Sequence, residues 1–561
     1  MRFALLASAA ALCLVANPTL AEEAPAPHSG HHAEHNASDA NAHAMAHRGR
    51  LEADVRFLAG DALDGREAGT NGYALAAGYV AGQFAAIGLQ PAGNDATYFQ
   101  AVPMLRAVSE FGDRASLVVT DSTGAPALPA GTSGEDYFTF PKRGAALGES
   151  DGELVFVGQA FASEGYEQDD FAGLDLTGKI AVRLRGAPRS LNSEERAHFG
   201  VTASQRLSER GAIGSILVLT PTDTASFPYE QLKHAYREAS LYWADENGEA
   251  FNKAPNVQTF AVLSPEQSEA LFKGQQISWE DVTNYAAGER DNLPSFEMGL
   301  SASTLAQSTI ETTSSRNIIG MVPGTDPAVA NEFVVVSAHL DSTANPKTPE
   351  EGDDEIANGA MDNATGIASM IEAARMLREN PGRRPVVFLA VTAEEQGLVG
   401  SDYFARNPTL GDGEIVANIN LDMPILTYEF TDVTAFGAER STLLREVEAA
   451  AAIHGIALRH DTVPEQGLFT RSDQYRFVEQ GIPAIFLVTG WGNGGEAAQQ
   501  EFLTTHYHQV SDEVSLIDFE QLGRFTDVNF SIIQNVANMA EKPVWKAGDF
   551  FAKTFGGEIE Q

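Results

Sequence analysis

Four apolar runs of strand length, at residues 333–337, 385–391, 415–421 and 484–488, alternate with stretches of helical periodicity at 366–378, 441–454 and 519–539. Successive side chains of a strand point to opposite sides of a sheet, so a strand apolar throughout must be covered on both faces. Such strands separated by helices predict an α/β fold with a mostly parallel central sheet, flanked by helices on both faces. No repeat of solenoid period interrupts the alternation.

At 561 residues the chain exceeds one ordinary domain. Upstream of the alternating region, 51–58 has helical spacing, Asp64-Gly65-Arg66-Glu67 reads as a turn, and a helix is predicted over 73–87, closed by Gly88. Between about 130 and 290 the texture turns β-rich, with strands expected at 154–157, 180–184 and 216–219 and a helix running up to Gly211. The expected organisation is a domain split over 48–129 and 291–545, a β-rich insert at 130–290 and a C-terminal tail at 546–561.

The N-terminus has the form of a secretory signal over 1–21: Arg2, an apolar stretch at 3–15, then Thr19-Leu20-Ala21 before Glu22. A buried N-terminal helix is the competing reading. Cys13, the only cysteine, lies inside this segment, and Leu12 before it fits lipoprotein processing poorly. The mature chain would then be exported, periplasmic or secreted, without disulfides. Residues 22–47 carry His28, His31, His32, His35, His43 and His47 in a polar, Ala- and Pro-rich tract expected to be disordered; metal scavenging and a tolerated linker both fit it. Past residue 20 no stretch is long and apolar enough for a transmembrane anchor. The net charge of −40, from 77 acidic against 37 basic residues, disfavours nucleic-acid binding. Oligomeric state is not legible.

Chemistry-bearing residues cluster where the apolar runs stop, which is where open α/β sheets bind ligands. The first run leads into His339-Leu340-Asp341, the second into Glu394-Glu395 and the third into Asp422. Asp362 lies in a turn that opens a helix, and Tyr507-His508 and Asp512 follow near the end. Singly each has an ordinary explanation: an adjacent acidic pair as solvated surface, Asp362 as a helix cap, His508 as a structural histidine. Together, two histidines and three carboxylates at the ends of one sheet suit divalent metal, zinc above all.

These motifs in this order, His339-x-Asp341, Asp362-Asn363, Glu394-Glu395, Asn420-Leu421-Asp422-Met423 and Tyr507-His508, resemble the co-catalytic zinc aminopeptidases, the M28 peptidase family. Residues 54–70 resemble the start of its larger bacterial members, and 150–220 is similar to a protease-associated domain. The resemblance implies a zinc-exopeptidase-like fold with an inserted protease-associated domain and two zinc ions per chain. It implies His339, Asp362 and Asp422 on one ion, and Asp362, Glu395 and His508 on the other. Glu394 would be the general base acting on a zinc-bridging water, Tyr507 the oxyanion donor, and Asp341 the group orienting His339, with Asp512 serving His508 in the same way. Arg471-Ser472-Asp473-Gln474 resembles a substrate-pocket motif in which His is common at the last position, and Met361 stands where many relatives carry a polar residue. His506 competes with His508 as a ligand. The expected activity is removal of N-terminal residues from peptide substrates. Alternatives are a carboxypeptidase (which needs a cation for the substrate carboxylate, Arg471 being one candidate) or dipeptidase of the same family, a non-catalytic binding relative, and a glutaminyl-cyclase-type transferase.

Overall fold

A computed structural model describes Met45 and residues 47–342, 354–463 and 466–560. The signal expected over 1–21 and nearly all of the histidine-rich tract lie outside the described residues. Among the described residues, sixteen strands join in one sheet.

The apolar runs form its centre. Glu332–His339 pairs in parallel with Val386–Val391 on one side and Glu414–Asn420 on the other, and Ala484–Thr489 continues in parallel beyond the latter. Asp432–Phe436 then turns antiparallel, with Ala457–Arg459 at the edge. Burial follows the two-residue period of a strand. Val334, Val336 and Ala338 enter one core with Phe388 and Ala390, beneath the helices Asn71–Ile87, Thr365–Glu379 and Phe519–Asn538. Phe333 and Val335 enter the opposite core with Val387, Leu389 and Val391, closed by Phe404 and Phe477. The central set of strands is thus parallel and covered on both faces as the sequence predicts, within a sheet that is mixed as a whole.

The other half of the sheet hangs on one strand. Phe296–Val322 pairs antiparallel with Val386–Val391 near its end, with Phe99–Glu110 along its middle, and with Ser116–Asp121 and Leu147–Phe156 at its start. From Leu147–Phe156 the sheet runs through the parallel strands Ile180–Arg183, Gly214–Leu217 and Thr259–Leu263 to the antiparallel edge Tyr137–Pro141. This half has its own core, built on Leu154, Phe156, Ile180, Val182, Ile216 and Ala261. The β-rich texture starts at Phe99, ahead of residue 130. The single helix expected up to Gly211 is two, Ser193–Val201 and Ala203–Glu209. They part at Thr202, whose hydroxyl bonds back to the His198 carbonyl at 2.6 Å and accepts from Arg206 at 2.6 Å. Residues past 545 are packed: Phe551 in the helix Phe550–Phe555 is fully buried beside Trp545. No helix among the described residues is long and apolar enough to cross a membrane.

Candidate metal centre

Three of the four strands of the parallel set deliver their groups to the same end of the sheet. His339 closes Glu332–His339, Asp422 lies just past Glu414–Asn420, and Glu394 and Glu395 follow Val386–Val391. Asp362 arrives on the short turn Ala360–Ala364 ahead of the helix Thr365–Glu379, and its peptide bond to Asn363 is cis. His508 follows the helix Gly495–Thr505. The turn before Asp362 needs Gly359: its φ is +53°, and a Cβ there would sit 2.1 Å from Ser342 Oγ and 2.4 Å from the Asp362 carbonyl. Ala393, Met423 and His508 adopt φ of 52°, 34° and 55°, left-handed values that side chains rarely take and that cluster at functional sites.

Asp362 is shared. Its Oδ1 lies 3.1 Å from His339 Nε2 and its Oδ2 3.4 Å from His508 Nε2. His339 Nε2 is also 3.0 Å from Asp422 Oδ1, and His508 Nε2 3.0 Å from Glu395 Oε2. Two sets therefore form around one carboxylate: His339, Asp362 and Asp422, and Asp362, Glu395 and His508, the donor atoms within each lying no more than 4.8 Å apart. A third grouping, His339 with Glu394 and Glu395, meets the same distance. Glu395 Oε1 is buried and has no hydrogen-bond partner among the described residues, an orphaned acceptor that a cation would satisfy. Imidazole and carboxylate donors in this number suit zinc. His506 stands apart, its Nδ1 2.9 Å from Ser511 Oγ and its Nε2 3.5 Å from Glu501.

So many carboxylates in a buried place distort one another's titration. Burial, then the Asp362 carboxylate, pushes Glu395 up to about 7. Burial, with Asp422, Asp473 and Glu395 nearby, raises Glu394 well above the ordinary carboxylate range, against the pull of His339. Asp362 goes the other way: burial would raise it, but hydrogen bonds from His339 and His508 hold it far below. Burial also opposes the charge on His508, yet Asp362 and Glu395 lift it to about 10. The donors are arranged for positive charge, which protons supply when nothing else does.

The groups behind the ligands differ from expectation in three places. Asp341 does not orient His339 with its carboxylate. His339 Nδ1 is 3.0 Å from the main-chain oxygen of Asp341, while the Asp341 carboxylate accepts the N–H groups of Glu394 and Glu395, each at 3.2 Å. Past the strand end the chain turns, so the side chain reaches across to the neighbouring loop. Asp512 likewise serves Asp362 instead of His508, accepting the N–H groups of Met361 at 2.8 Å and Asp362 at 3.0 Å. The expected pocket residues Ser472, Asp473 and Gln474 are buried. Ser472 donates to Asp422 Oδ2, and Asn420 donates to Ser472 at 2.8 Å and to Gln474 at 2.9 Å, so two of the three brace a ligand from behind. Arg471 alone of that motif is exposed. Tyr507 stacks on His508 with ring centroids 3.8 Å apart, and burial followed by Asp362 and Glu395 keeps its phenol protonated far above neutrality.

Arg66 is the residue that sequence reading passed over as part of a turn. Its side chain is enclosed and donates to the carbonyls of Leu58, Leu340 (2.9 Å), Asn358 (2.6 Å) and Gly359 (3.0 Å), tying the loop after His339 to the loop before Asp362. Burial draws its pKa down to about 10, opposed by Asp512, Asp341, Asp362 and Glu395. The sequence signal was the Asp64-Gly65-Arg66 run, in which all three residues take positive φ.

Residues 317–533 match the profile described as peptidase family M28. Aminopeptidase YwaD of Bacillus subtilis is 27% identical over 218 residues, covering 38% of this chain and 43% of its own. Aminopeptidase Y of Saccharomyces cerevisiae is 30% identical over 219 residues, 38% of this chain and 37% of its own. The chain thus spans about two fifths of the length of these curated relatives. Among solved structures, an aminopeptidase from Aneurinibacillus sp. strain AM-1 is 18% identical with a TM-score of 0.49, covering 92% of this chain and 97% of that one.

Proposed function

We propose that this chain is a di-zinc exopeptidase of the aminopeptidase type, acting on peptides that carry a free N-terminus. The observation that carries the reading is the division of Asp362 between His339 and His508, one oxygen to each. His339, Asp362 and Asp422 would hold one zinc, and Asp362, Glu395 and His508 the other. When bound, such a pair supplies Lewis acidity and a water acidified to a pKa of about 7.

The protein's own groups do the rest. Glu394 belongs to neither of the two sets that share Asp362, and its raised pKa suits a base that takes a proton from the attacking water and returns it to the leaving amine nitrogen. Tyr507, kept protonated, donates to the oxygen on which charge develops. Asp341 fixes the turn that carries Glu394 and Glu395, and Asp512 fixes the main chain of Asp362. Direction follows from charge. The centre is surrounded by carboxylates that favour a substrate ammonium, and the enclosed cation, Arg66, donates its hydrogen bonds to main-chain carbonyls. Arg471, exposed and electrostatically in reach of Tyr507, is the cation that the carboxypeptidase reading requires.

Two measurements test this. Zinc analysis of the purified chain is expected to approach two ions per chain, and none under zinc-replete conditions would end the assignment. Free, N-acetylated and C-amidated versions of one peptide series separate the directions. Release of the first residue from the free and amidated peptides alone is the expected result, whereas cleavage of the acetylated series only from its C-terminus would establish the carboxypeptidase. We also propose export through a signal at 1–21, checked by N-terminal sequencing of the mature protein. The strands from Leu147–Phe156 to Thr259–Leu263, with their separate core, support reading the insert as a protease-associated domain.

A further inference from the structure

The short helix Gln474–Val478 and the residue after it touch both sides of the metal centre and the β-rich half at once. Gln474 accepts from Asn420 on the strand that leads to Asp422. Tyr475 places its hydroxyl 2.6 Å from His198 Nδ1, on the helix Ser193–Val201 of the β-rich half. Arg476 Nη2 donates to the main-chain carbonyl of Gly397 at 3.2 Å. Gly397 in turn closes the turn that carries the two glutamates, since its N–H and that of Leu398 both bond to the Glu394 carbonyl at 2.8 Å.

The other end of the Arg476 guanidinium is held by Glu479, 2.9 Å from Nη1. Glu479 is almost wholly buried, and its second oxygen takes Lys253 Nζ at 2.7 Å. Arg406 approaches the same carboxylate at 3.8 Å and pairs with Asp402 at 2.8 Å, and Asp402 also accepts the indole N–H of Trp243 at 2.7 Å. Lys253 and Trp243 come from the segment that follows the strand Tyr137–Pro141 and precedes Thr259–Leu263, outside the parallel set that carries the ligands. A planar guanidinium pinned at one end by a buried carboxylate presents its other end in a fixed direction, a geometry that an ammonium cannot reproduce.

We propose that Arg476 is a positioning residue for the Glu394–Glu395 turn, and that Lys253 of the β-rich half holds Arg476 in register through Glu479. The β-rich half thereby acts on the metal centre without touching substrate. This rests on the di-metal peptidase reading, and it concerns the Glu395 side of the centre alone, because Gln474 braces the Asp422 side separately.

The test is zinc competition titration of the full chain, which resolves the two affinities, together with kcat and KM on a free peptide. Arg476→Gln is expected to weaken one zinc by up to about 10-fold, the low end of what loss of an outer partner costs because Arg476 acts through Gly397 and the Glu394 carbonyl, while the other stays within about twofold. Arg476→Lys recovers only part of the loss. Lys253→Met weakens the same zinc by at least about threefold, with kcat reduced and KM little changed. A purely structural role would lower the melting temperature and leave the ratio of the two affinities alone. Equal ratios in wild type and folded Arg476→Gln would overturn the proposal. If that variant does not fold, Lys253→Met decides, and an unchanged ratio there overturns it. An effect of Arg476→Gln with none of Lys253→Met would remove the β-rich half from the account. A wild-type chain that binds two zinc ions but cleaves no peptide would end the peptidase reading while leaving the affinity ratio readable.

Discussion

Asp512 holds Asp362 by its main chain: one carboxylate oxygen accepts the Asp362 N–H at 3.0 Å while the other takes the preceding N–H, of Met361, at 2.8 Å. A residue that lies 150 positions downstream therefore fixes where the shared carboxylate stands. Asp512→Ala leaves two buried N–H groups without acceptors, and Asp512→Asn offers one good acceptor where two are needed. Zinc affinity is expected to fall about 10–100-fold in the alanine variant and less in the asparagine variant. Competition with a chromogenic chelator reads this directly, and affinities equal to wild type in both variants would show that Asp362 needs no such anchor.

Glu394 and Glu395 are neighbours in sequence to which the proposed function gives separate duties. Glu394→Gln is expected to keep both zinc equivalents and lose about 10²–10⁴ in kcat, the range that a positioned acid–base group contributes. Metal content and steady-state kinetics on the same preparation decide it. Loss of one zinc would instead make Glu394 a ligand, consistent with its place in the grouping with His339 and Glu395.

Arg66→Met removes the donor from the carbonyls of Leu58, Leu340 and Asn358 in a closed environment, while that of Gly359 keeps the Ala364 N–H at 3.2 Å. Each buried polar group left unsatisfied costs about 1–3 kcal/mol, so a loss of several kcal/mol is expected even after local relaxation. Denaturant unfolding of the metal-free protein measures it, which separates the effect from altered metal binding. A change below about 1 kcal/mol would mean that water replaces the guanidinium freely.

His198 gives the stability a pH dependence. Burial first, then the nearby Arg206, lowers its pKa from 6.5 to about 4 in the folded chain. Between those values the unfolded chain binds a proton that the folded chain refuses, so this contribution is complete above pH 6.5 and is lost as the pH falls towards 4. The full loss corresponds to about 3 kcal/mol, at 1.36 kcal/mol per pKa unit. His198→Phe, facing Phe199, Phe550 and Phe555, should flatten the fall of melting temperature with pH across this window. An unchanged slope would assign the acid sensitivity to other groups.

The clustered histidines and carboxylates were legible as a set because each sits where an apolar run or a turn ends, and the chain order of those ends is itself a pattern. Their supports were not. The family resemblance implies a side-chain contact from Asp341 to His339, but the chain leaves the strand between them, and only the carbonyl of Asp341 meets the ring. Ser472 and Gln474 look like pocket residues by motif, and only three-dimensional packing puts them behind Asn420 and Asp422. Arg66 bonds main-chain atoms as far as 293 residues away, and main-chain acceptors leave no trace in residue type. The central sheet was readable from hydrophobic runs alone, whereas the start of the β-rich part at Phe99 was not, since Phe99–Glu110 alternates polar and apolar positions only in part.

Phe296–Val322 belongs to two ladders at once, bonded to Leu147–Phe156 near its start and to Val386–Val391 near its end. Its 27 residues make the junction between the halves a continuous extended backbone in place of a flexible tether. For protein engineering this sets the cutting sites: the β-rich part is not a cassette that can be lifted out at two loops. A chimera would have to be spliced in hydrogen-bond register within that strand, and a one-residue slip there would turn every following side chain, up to the strand beside the glutamates, to the wrong face.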